Sequence, residues 1–336
     1  MKFGFNPLKI FRNRKVGLVL GSGGAKGMAH IGVIDHLEKT GIPIDMVAGS
    51  SIGALIGALY CSGALMDFRN DLVKKTKRDL MAYFDPVIPR SGLIEGRGYM
   101  KLITNYIPQK TMIEDLRIPL AVLATDYYTG NSVVFRSGNV HEALRASISI
   151  PGVFTPVRFK GTYLIDGGVA NPLPVNVARR MGAGMTIAVN LHPTTEKRKW
   201  KNFVSSTVRS PGLTVDSREI EIIQPPPVPP VEPVPAGKKP ASGLRGIFDH
   251  WMDPAKKAPA EQTPNIFEII MQTIDIMEYV NTRMMLEYNT PTLLIEPDVY
   301  GAGMLDFSDS KRIIDEGVAA CMRHERDIAR KIRRWV

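Results

Sequence analysis

The residues best suited to chemistry are Gly49-Ser50-Ser51-Ile52-Gly53, which fit the pattern Gly-x-Ser-x-Gly with Ser51 at the centre. In this pattern the serine lies on a tight turn between a strand and a helix, because small residues two positions to either side let the chain bend. The bend lifts the hydroxyl clear of the backbone, and the N-terminus of the next helix favours negative charge beside it. The pentapeptide therefore predicts a serine nucleophile, with Gly49 and Gly53 as its supports.

A nucleophilic serine needs donors that hold the negative oxygen of the intermediate, and a second glycine-rich stretch could supply them. Residues 21–27, GSGGAKG, follow the apolar run Val16–Leu20 and open a helix, where free backbone N–H groups converge. Lys26 would add positive charge. Nucleotide binding is the competing interpretation, although the loop lacks the Gly-Lys-Ser/Thr end of a P-loop. Lys26 also occupies the place of the third glycine in a dinucleotide fingerprint.

The sequence offers two candidates for the general base. Asp166 ends a predicted strand and is followed by Gly167 and Gly168, which allow a close approach of the backbone. An aspartate serves as a base only where its surroundings raise its pKa or the geometry is tight, and Asp-Gly is also a common turn. His192 is the alternative, since Ser51, Asp166 and His192 follow the chain order of the α/β-hydrolase triad. Such a hydrolase places several strands ahead of its serine, whereas only two short strands are predicted ahead of Ser51.

The elements that must position these residues alternate between strands and helices. Apolar runs predict strands at 16–20, 46–48, 118–125, 132–135, 163–165, 185–190 and 292–296. Other patterns predict helices up to about residue 39, after Ser51, and over 65–79, 140–147, 174–181, 265–288 and 308 to the C-terminus. Strands that alternate with helices in this way predict a three-layer α/β/α fold on a mostly parallel sheet.

Two of these helices have an unusual composition. Residues 48–65 carry no charge and are long enough to suggest a membrane-spanning helix. They are rich in Gly and Ser, however, so we interpret them as a buried helix of a soluble fold. The methionine-rich helix 266–289 is interpreted as core packing, because methionine fills irregular gaps between helices and sheets.

Charge is concentrated at the two ends of the chain. The 336 residues carry a formal net charge of +10, and residues 1–15 hold five basic and no acidic side chains. Residues 322–336 hold six basic and two acidic side chains, which leaves the body close to neutral. A nucleic-acid groove is more often basic across its central face, so the distribution favours an anionic membrane surface over nucleic acid. Two cysteines exclude a disulfide-stapled secreted domain.

Taken in order, residues 21–27, residues 49–53 and Asp166-Gly167-Gly168 resemble the three signature blocks of bacterial patatin-like phospholipases, relatives of the neuropathy target esterase catalytic domain. Further similar stretches are 124–130, 145–156 and 304–307, and the resemblance covers about 16–192 and 265–321. Each motif alone is common in proteins. The complete set in this order is specific to the family.

The resemblance implies a dyad without histidine, in which Ser51 is the nucleophile and Asp166 the base. It also implies an oxyanion loop lined by Gly23, Gly24, Ala25 and Lys26, although Ser22 stands where many members have another glycine. The implied reaction is two-step acyl transfer from a phospholipid or lysophospholipid, with no metal or other cofactor. Two alternatives remain: an esterase with a Ser51-Asp166-His192 triad, and a nucleotide-binding regulatory protein that uses residues 21–27.

The predicted domain organisation is a basic tail (1–15), a catalytic core (16–192), a proline-rich insertion (193–263) and the remainder of the core with a basic end (264–336). Seven of the eleven residues 225–235 are prolines, which predicts an extended polyproline segment that serves as a semi-rigid linker or as a docking motif for a partner's aromatic groove. Five apolar residues at helical spacing predict a lid helix or a helix packed on the protein's own surface: Leu244, Ile247, Phe248, Trp251 and Met252. We expect a cytoplasmic protein with peripheral attachment to membranes.

Overall fold

The computed structural model describes residues 15–75, 79, 95–192, 266–299, 302–304 and 307–333. By its internal contacts the chain divides into two units, one made of residues 1–198 and 265–336 and the other of residues 199–264. The second unit, the first fourteen residues and the helix predicted around Trp251 lie outside the described residues. What the sequence predicts for them stays a prediction.

The described residues form one eight-stranded sheet with the order β5-β6-β3-β2-β1-β7-β8, and β4 pairs with β3. The strands are β1 (Lys15–Leu20), β2 (Met46–Ser50), β3 (Leu120–Asp126), β4 (Ser132–Phe135), β5 (Val157–Phe159), β6 (Thr162–Asp166), β7 (Ala183–Val189) and β8 (Leu293–Ile295). The run β3-β2-β1-β7-β8 is parallel, whereas β4, β5 and β6 join by antiparallel pairing. This confirms the predicted mostly parallel sheet.

The strand register brings the ends of β2 and β6 together. On β3, Val122 and Leu123 pair with both β2 and β4, while Ala124 and Thr125 pair with both β4 and β6. A strand has only two edges, so β2 and β6 lie end to end along the same edge of β3. Because β2 runs parallel to β3 and β6 antiparallel, their C-terminal residues meet there.

Helices cover both faces of the sheet. In the described residues they are α1 (Ala29–Lys39), α2 (Ile52–Ser62), α3 (Leu65–Leu72), α4 (Arg97–Thr104), α5 (Val140–Ser147), α6 (Val175–Arg180), α7 (Ile266–Tyr288), α8 (Ser310–Arg323) and α9 (Glu325–Arg333). One core cluster joins α1, α2 and α8 to Leu18 and Leu20, and a second joins α6 to Val19 on the opposite face. Strands buried on both faces read as continuous apolar runs, which is why β1 lacks an alternating pattern.

The sequence predicted most of these elements but not all of their limits. The last helix is two helices that break at His324, and the helix predicted for 65–79 ends at Leu72. Neither α4 nor β5 was predicted. The interpretation of 48–65 as a buried helix holds for α2, whose first ten residues are buried. Among the described residues, no helix is both long and apolar enough to cross a membrane.

The interpretation of the methionine-rich helix as core packing is wrong. In α7 only Ile274, Glu278 and Thr282 are buried, and two of these three are polar. Of the large apolar side chains of the helix, Ile274 is buried and Leu286 packs against a core cluster, whereas seven others, from Ile266 at one end to Tyr288 at the other, are exposed. Helical periodicity showed that α7 has an apolar stripe, but only the packing of the chain decides which side of the helix faces inward.

Candidate active site

Ser51 occupies the predicted turn between β2 and α2. Its φ is 54° and its ψ is −124°, a conformation that a residue with a side chain rarely adopts. A Cβ on Gly53 would lie 2.2 Å from the carbonyl oxygen of Leu20, and one on Gly49 would lie 2.5 Å from that of Gly53. Both glycines are therefore required by close backbone contacts, which explains their spacing around the serine.

Ser51 and Asp166 are in direct contact although 115 positions separate them in the chain. The Ser51 hydroxyl donates to Asp166 Oδ2 at 2.5 Å, and both residues are buried. The contact follows from the sheet: β2 ends opposite Leu123 and β6 ends opposite Ala124, so the residues at the two strand ends meet.

The segment 145–156, one of the stretches similar to the patatin-like family, holds both members of this pair. The Ser51 N–H group donates to Ser147 Oγ at 3.0 Å. The Asp166 N–H group donates to the Ser149 carbonyl at 2.9 Å. Arg145 in turn donates to Ser149 Oγ at 2.7 Å and to the Thr155 carbonyl at 2.9 Å, which ties the segment together.

Asp166 lies in a turn that is buried from water, close to a second acidic side chain, Glu278. Burial, and then the negative charge of Glu278, raise the pKa of its carboxyl well above the usual range, while hydrogen bonds from Ser51 and Gly168 oppose that shift. The Gly168 N–H group donates to Asp166 Oδ1 at 2.7 Å, and Thr125 Oγ1 donates to the Asp166 carbonyl at 2.8 Å. The carboxyl is thus oriented from both sides and made more basic by its surroundings.

The glycine-rich loop lies at the end of β1 and continues into a one-turn helix over residues 24–28. Gly23 and Gly24 have φ values of 147° and 59°, which favour glycine. The Ala25 N–H group donates to the Met304 carbonyl at 2.7 Å, whereas no hydrogen bond between the described loops and strands engages the N–H group of Gly23 or Gly24. The assignment of all four loop residues to an oxyanion site stays a prediction.

Two charged or titratable side chains hold this loop in place. Lys26 Nζ donates to Asp275 Oδ1 of α7 at 2.8 Å, so the predicted positive charge is paired with an acid. His30 is fully buried, and burial lowers its pKa to about 4, so that the ring is neutral near pH 7. Its Nε2 lies 2.8 Å from the Gly21 carbonyl, which can only accept, so Nε2 carries the proton and donates.

His192, the alternative base, faces other carboxyl groups. Its Nδ1 lies 3.5 Å from Asp275 Oδ1, and its Nε2 lies 2.9 Å from Glu278 Oε2 without the alignment of a hydrogen bond. The bond from Ser51 to Asp166 leaves no place for an imidazole between the two side chains. The structure therefore does not bring His192 into the hydrogen bond that a Ser51-Asp166-His192 triad requires.

Sequence reasoning missed the contribution of α7 to the site. Asp275 and Glu278 lie three positions apart, so they share one face of the helix. Asn281 extends that face and donates from Nδ2 to the Val169 carbonyl at 2.9 Å. The signal available in the sequence was a set of polar residues at helical spacing opposite an apolar stripe. Nothing local indicated that the polar side faces the catalytic loops.

Comparisons with known proteins show which families this chain resembles. Residues 18–179 match the family described as patatin-like phospholipase. An uncharacterised NTE family protein of Mycobacterium bovis is 31% identical over 338 residues, 91% of this chain and 89% of that protein. Neuropathy target esterase sws of Drosophila melanogaster is 36% identical over 182 residues, 52% of this chain and 13% of that protein. The crystal structure of VipD from Legionella pneumophila covers 82% of this chain and 67% of its own, with a TM-score of 0.34 and 14% identity.

The described residues form a sheet flanked by helices, with a serine on a strand-to-helix turn beside a buried aspartate. The chain belongs to the NTE family, and its residues 18–179 form a domain that matches the patatin-like phospholipase family. This confirms the resemblance inferred from the motifs. Membership supports hydrolysis of lipid esters as the general activity.

Proposed function

We propose that the protein is a serine acyl hydrolase that cleaves fatty acyl esters of phospholipids or lysophospholipids with Ser51 and Asp166 alone. The observation that supports this is the 2.5 Å hydrogen bond from Ser51 Oγ to Asp166 Oδ2. A carboxylate that contacts the nucleophile directly can accept its proton without an imidazole. The raised pKa of Asp166 favours that role, because a stronger base accepts the proton more readily.

In the acylation step Ser51 Oγ attacks the ester carbonyl carbon while its proton passes to Asp166 Oδ2. The carbonyl oxygen becomes an oxyanion, to which the N–H groups of Gly23 and Gly24 donate. The tetrahedral intermediate collapses, the bond to the alcohol oxygen breaks, and Asp166 returns the proton to that oxygen. A water molecule then repeats the sequence on the acyl-serine, and the fatty acid leaves.

We infer further that the protein binds its substrate at the surface of a lipid layer. Large apolar side chains of α7 are 36–80% exposed, and most are separated by three, four or seven positions, which places them on one side of the helix: Ile266, Ile269, Ile276, Met277, Val280, Met284 and Tyr288. The opposite side of the same helix contacts the loops of Lys26 and Val169. A contiguous apolar stripe of this kind marks an interaction surface, and its place over the site of a lipid hydrolase favours a phospholipid layer as the partner.

The dyad is tested with Ser51→Ala, Asp166→Asn and His192→Gln, assayed on a soluble short-chain ester. We expect the first two to lose at least about a thousand-fold in kcat/KM and the third to retain hydrolysis, because removal of a nucleophile or its base costs that much in acyl transfer. Ser132→Ala and Asp315→Asn are matched controls at exposed sites.

Labelling with a fluorophosphonate probe identifies the nucleophile independently. The probe should modify Ser51 in the wild type and in the controls. If His192→Gln loses both hydrolysis and labelling while its thermal unfolding is unchanged, the triad would be favoured. A thermal shift with nucleotide and no labelling would favour the nucleotide-binding alternative.

A further inference from the structure

The inner face of α7 carries two acids beside the proposed dyad, and only one of them is matched by a lysine. Asp275 pairs with Lys26 at 2.8 Å. Glu278, one turn further along, is 4% exposed, which is unusual for a glutamate. Burial of a carboxylate costs several kcal/mol in general unless nearby groups compensate for the lost solvent, so a glutamate at this position needs an explanation.

Glu278 packs against the turn that orients Asp166. A methyl group on Gly168 would come within 2.0 Å of Glu278 Oε1, so the carboxyl lies directly on the backbone of that glycine. The Gly168 N–H group is the one that donates to Asp166 Oδ1 at 2.7 Å. Three residues along α7, Asn281 donates to the Val169 carbonyl and secures the same turn. Glu278 therefore contacts the glycine that holds the carboxyl of the proposed base.

Glu278 is the charged group that raises the pKa of Asp166, and other charged groups nearby are paired. In the part of the chain that the structure describes, the groups that surround the turn are Glu278 and Asp275 of α7, Lys26 of the 24–28 turn, His192 after β7 and Arg145 of α5. Lys26 is bound to Asp275, and Arg145 donates to Ser149 and Thr155. The imidazole of His192 is the group in contact with Glu278, at 2.9 Å.

We propose that Glu278 is a positioning residue for the dyad: its carboxylate fixes the Gly168 turn, and its negative charge makes Asp166 a stronger base toward Ser51. The proposal rests on the proposed function, since it assigns Glu278 a role only if Asp166 takes the proton. A like charge nearby disfavours ionisation of a carboxyl, and Glu278 contributes in this sense to the raised pKa of Asp166.

The test is Glu278→Gln, which keeps the size of the side chain and removes its charge. The acid limb of the kcat/KM profile on a soluble ester should move to lower pH by about one unit, because Asp166 ionises more easily without the second acid. Plateau kcat/KM should fall several-fold, since the base is weaker. Glu287→Gln, at an exposed position of the same helix, is the matched control and should leave the profile unchanged.

These variants distinguish failure of the proposed function from failure of the role of Glu278. If Ser51→Ala or Asp166→Asn retains hydrolysis, the proposed function fails. If both lose it while Glu278→Gln keeps its acid limb at the wild-type pH, only the role of Glu278 is wrong. Should Glu278→Gln not fold, Glu278→Asp keeps the charge but shortens the reach to Gly168. It should keep the limb and lose several-fold in kcat, and wild-type kcat in that variant would overturn the positioning role.

Discussion

Some ionisable side chains near the candidate site are buried at a cost to the stability of the fold. Asp166 holds a carboxyl in a buried turn beside Glu278, and His30 holds an imidazole where it cannot ionise near neutral pH. Each is retained because it does something that a more stable residue would not do. Asp166 contacts Ser51, the proposed nucleophile, and His30 donates to the Gly21 carbonyl at the start of the glycine-rich loop. Destabilised groups of this kind cluster at functional sites.

The buried His30 should make the fold sensitive to acid. Its pKa is lowered from 6.5 to about 4 in the folded protein, so the unfolded chain takes up a proton between those values and the native state does not. The free energy of unfolding should therefore fall by about 3 kcal/mol as the pH drops from about 6.5 to 4, measured by urea denaturation.

His30→Gln supplies the comparison, because its amide can donate to the same carbonyl without titrating. Its free energy of unfolding should change less over this pH range than that of the wild type. Equal pH dependence in the two proteins would show that other groups, and not His30, govern acid stability.

Among the elements, the junction of β2 and α2 is determined by backbone contacts. A side chain on Gly53 would meet the Leu20 and Gly21 carbonyl oxygens at 2.2 and 2.7 Å, and these atoms belong to the last residue of β1 and the first residue of the glycine-rich loop. The helix with the nucleophile and the strand before the loop are thus in direct backbone contact. The position of Ser51 relative to Gly23 and Gly24 depends on that contact.

Gly53→Ala should therefore destabilise the fold by roughly 3 kcal/mol or more and lower kcat/KM, because backbone atoms must move to admit the methyl group. Gly57→Ala, one turn further along α2, is the control. Its methyl group would meet side-chain atoms of Val47 and Leu120 at 3.0 and 3.4 Å, which can adjust. Thermal unfolding of both variants checks this, and equal loss would mean that the site tolerates no larger residue anywhere on the helix.

The helix α7 has a polar face toward the site and an apolar stripe toward the outside. Replacement of Met277, Val280 and Met284 by Gln keeps good helix formers but removes the stripe. Hydrolysis of phospholipid vesicles should fall at least about ten-fold, while hydrolysis of a soluble ester is retained, because less apolar area can be buried against lipid. Met322→Gln, also exposed, is the control.

Other occupants of the stripe would give different results. A second copy of the chain would be shown by a wild-type dimer that the triple variant converts to a monomer in size-exclusion chromatography. Equal losses on vesicles and on the soluble ester would mean that the stripe supports the site itself and does not bind lipid.

At the scale of the whole molecule, the positive charge lies mainly at the ends. The C-terminal basic segment is partly integrated into the fold: Ile328 is buried, Arg323 pairs with Glu316, and Arg330 pairs with Asp327. Lys331 donates to the Thr292 carbonyl. Deletion of this segment would thus disturb the core, and its charge is better removed by substitution.

We predict that binding to anionic vesicles weakens as salt is added, since each basic residue near such a surface contributes about 1 kcal/mol and salt screens it. A variant that lacks residues 1–14 and carries Arg326→Gln, Arg333→Gln and Arg334→Gln loses seven basic side chains and should bind at least about a hundred-fold more weakly in a sedimentation assay. Neutral vesicles serve as the control. Unchanged binding would mean that the charge of the tails only interacts with water.

The sequence by itself determined the chemistry-bearing motifs and most of the elements, because both depend on neighbouring residues. The turn at Ser51 requires glycines two positions away, and strands and helices follow from short apolar patterns. The choice between Asp166 and His192 as the partner of Ser51 depended on the register by which β2 and β6 meet on β3. The inward face of α7 was likewise decided only by tertiary packing, because an amphipathic pattern shows that two faces differ but not which of them the rest of the chain covers.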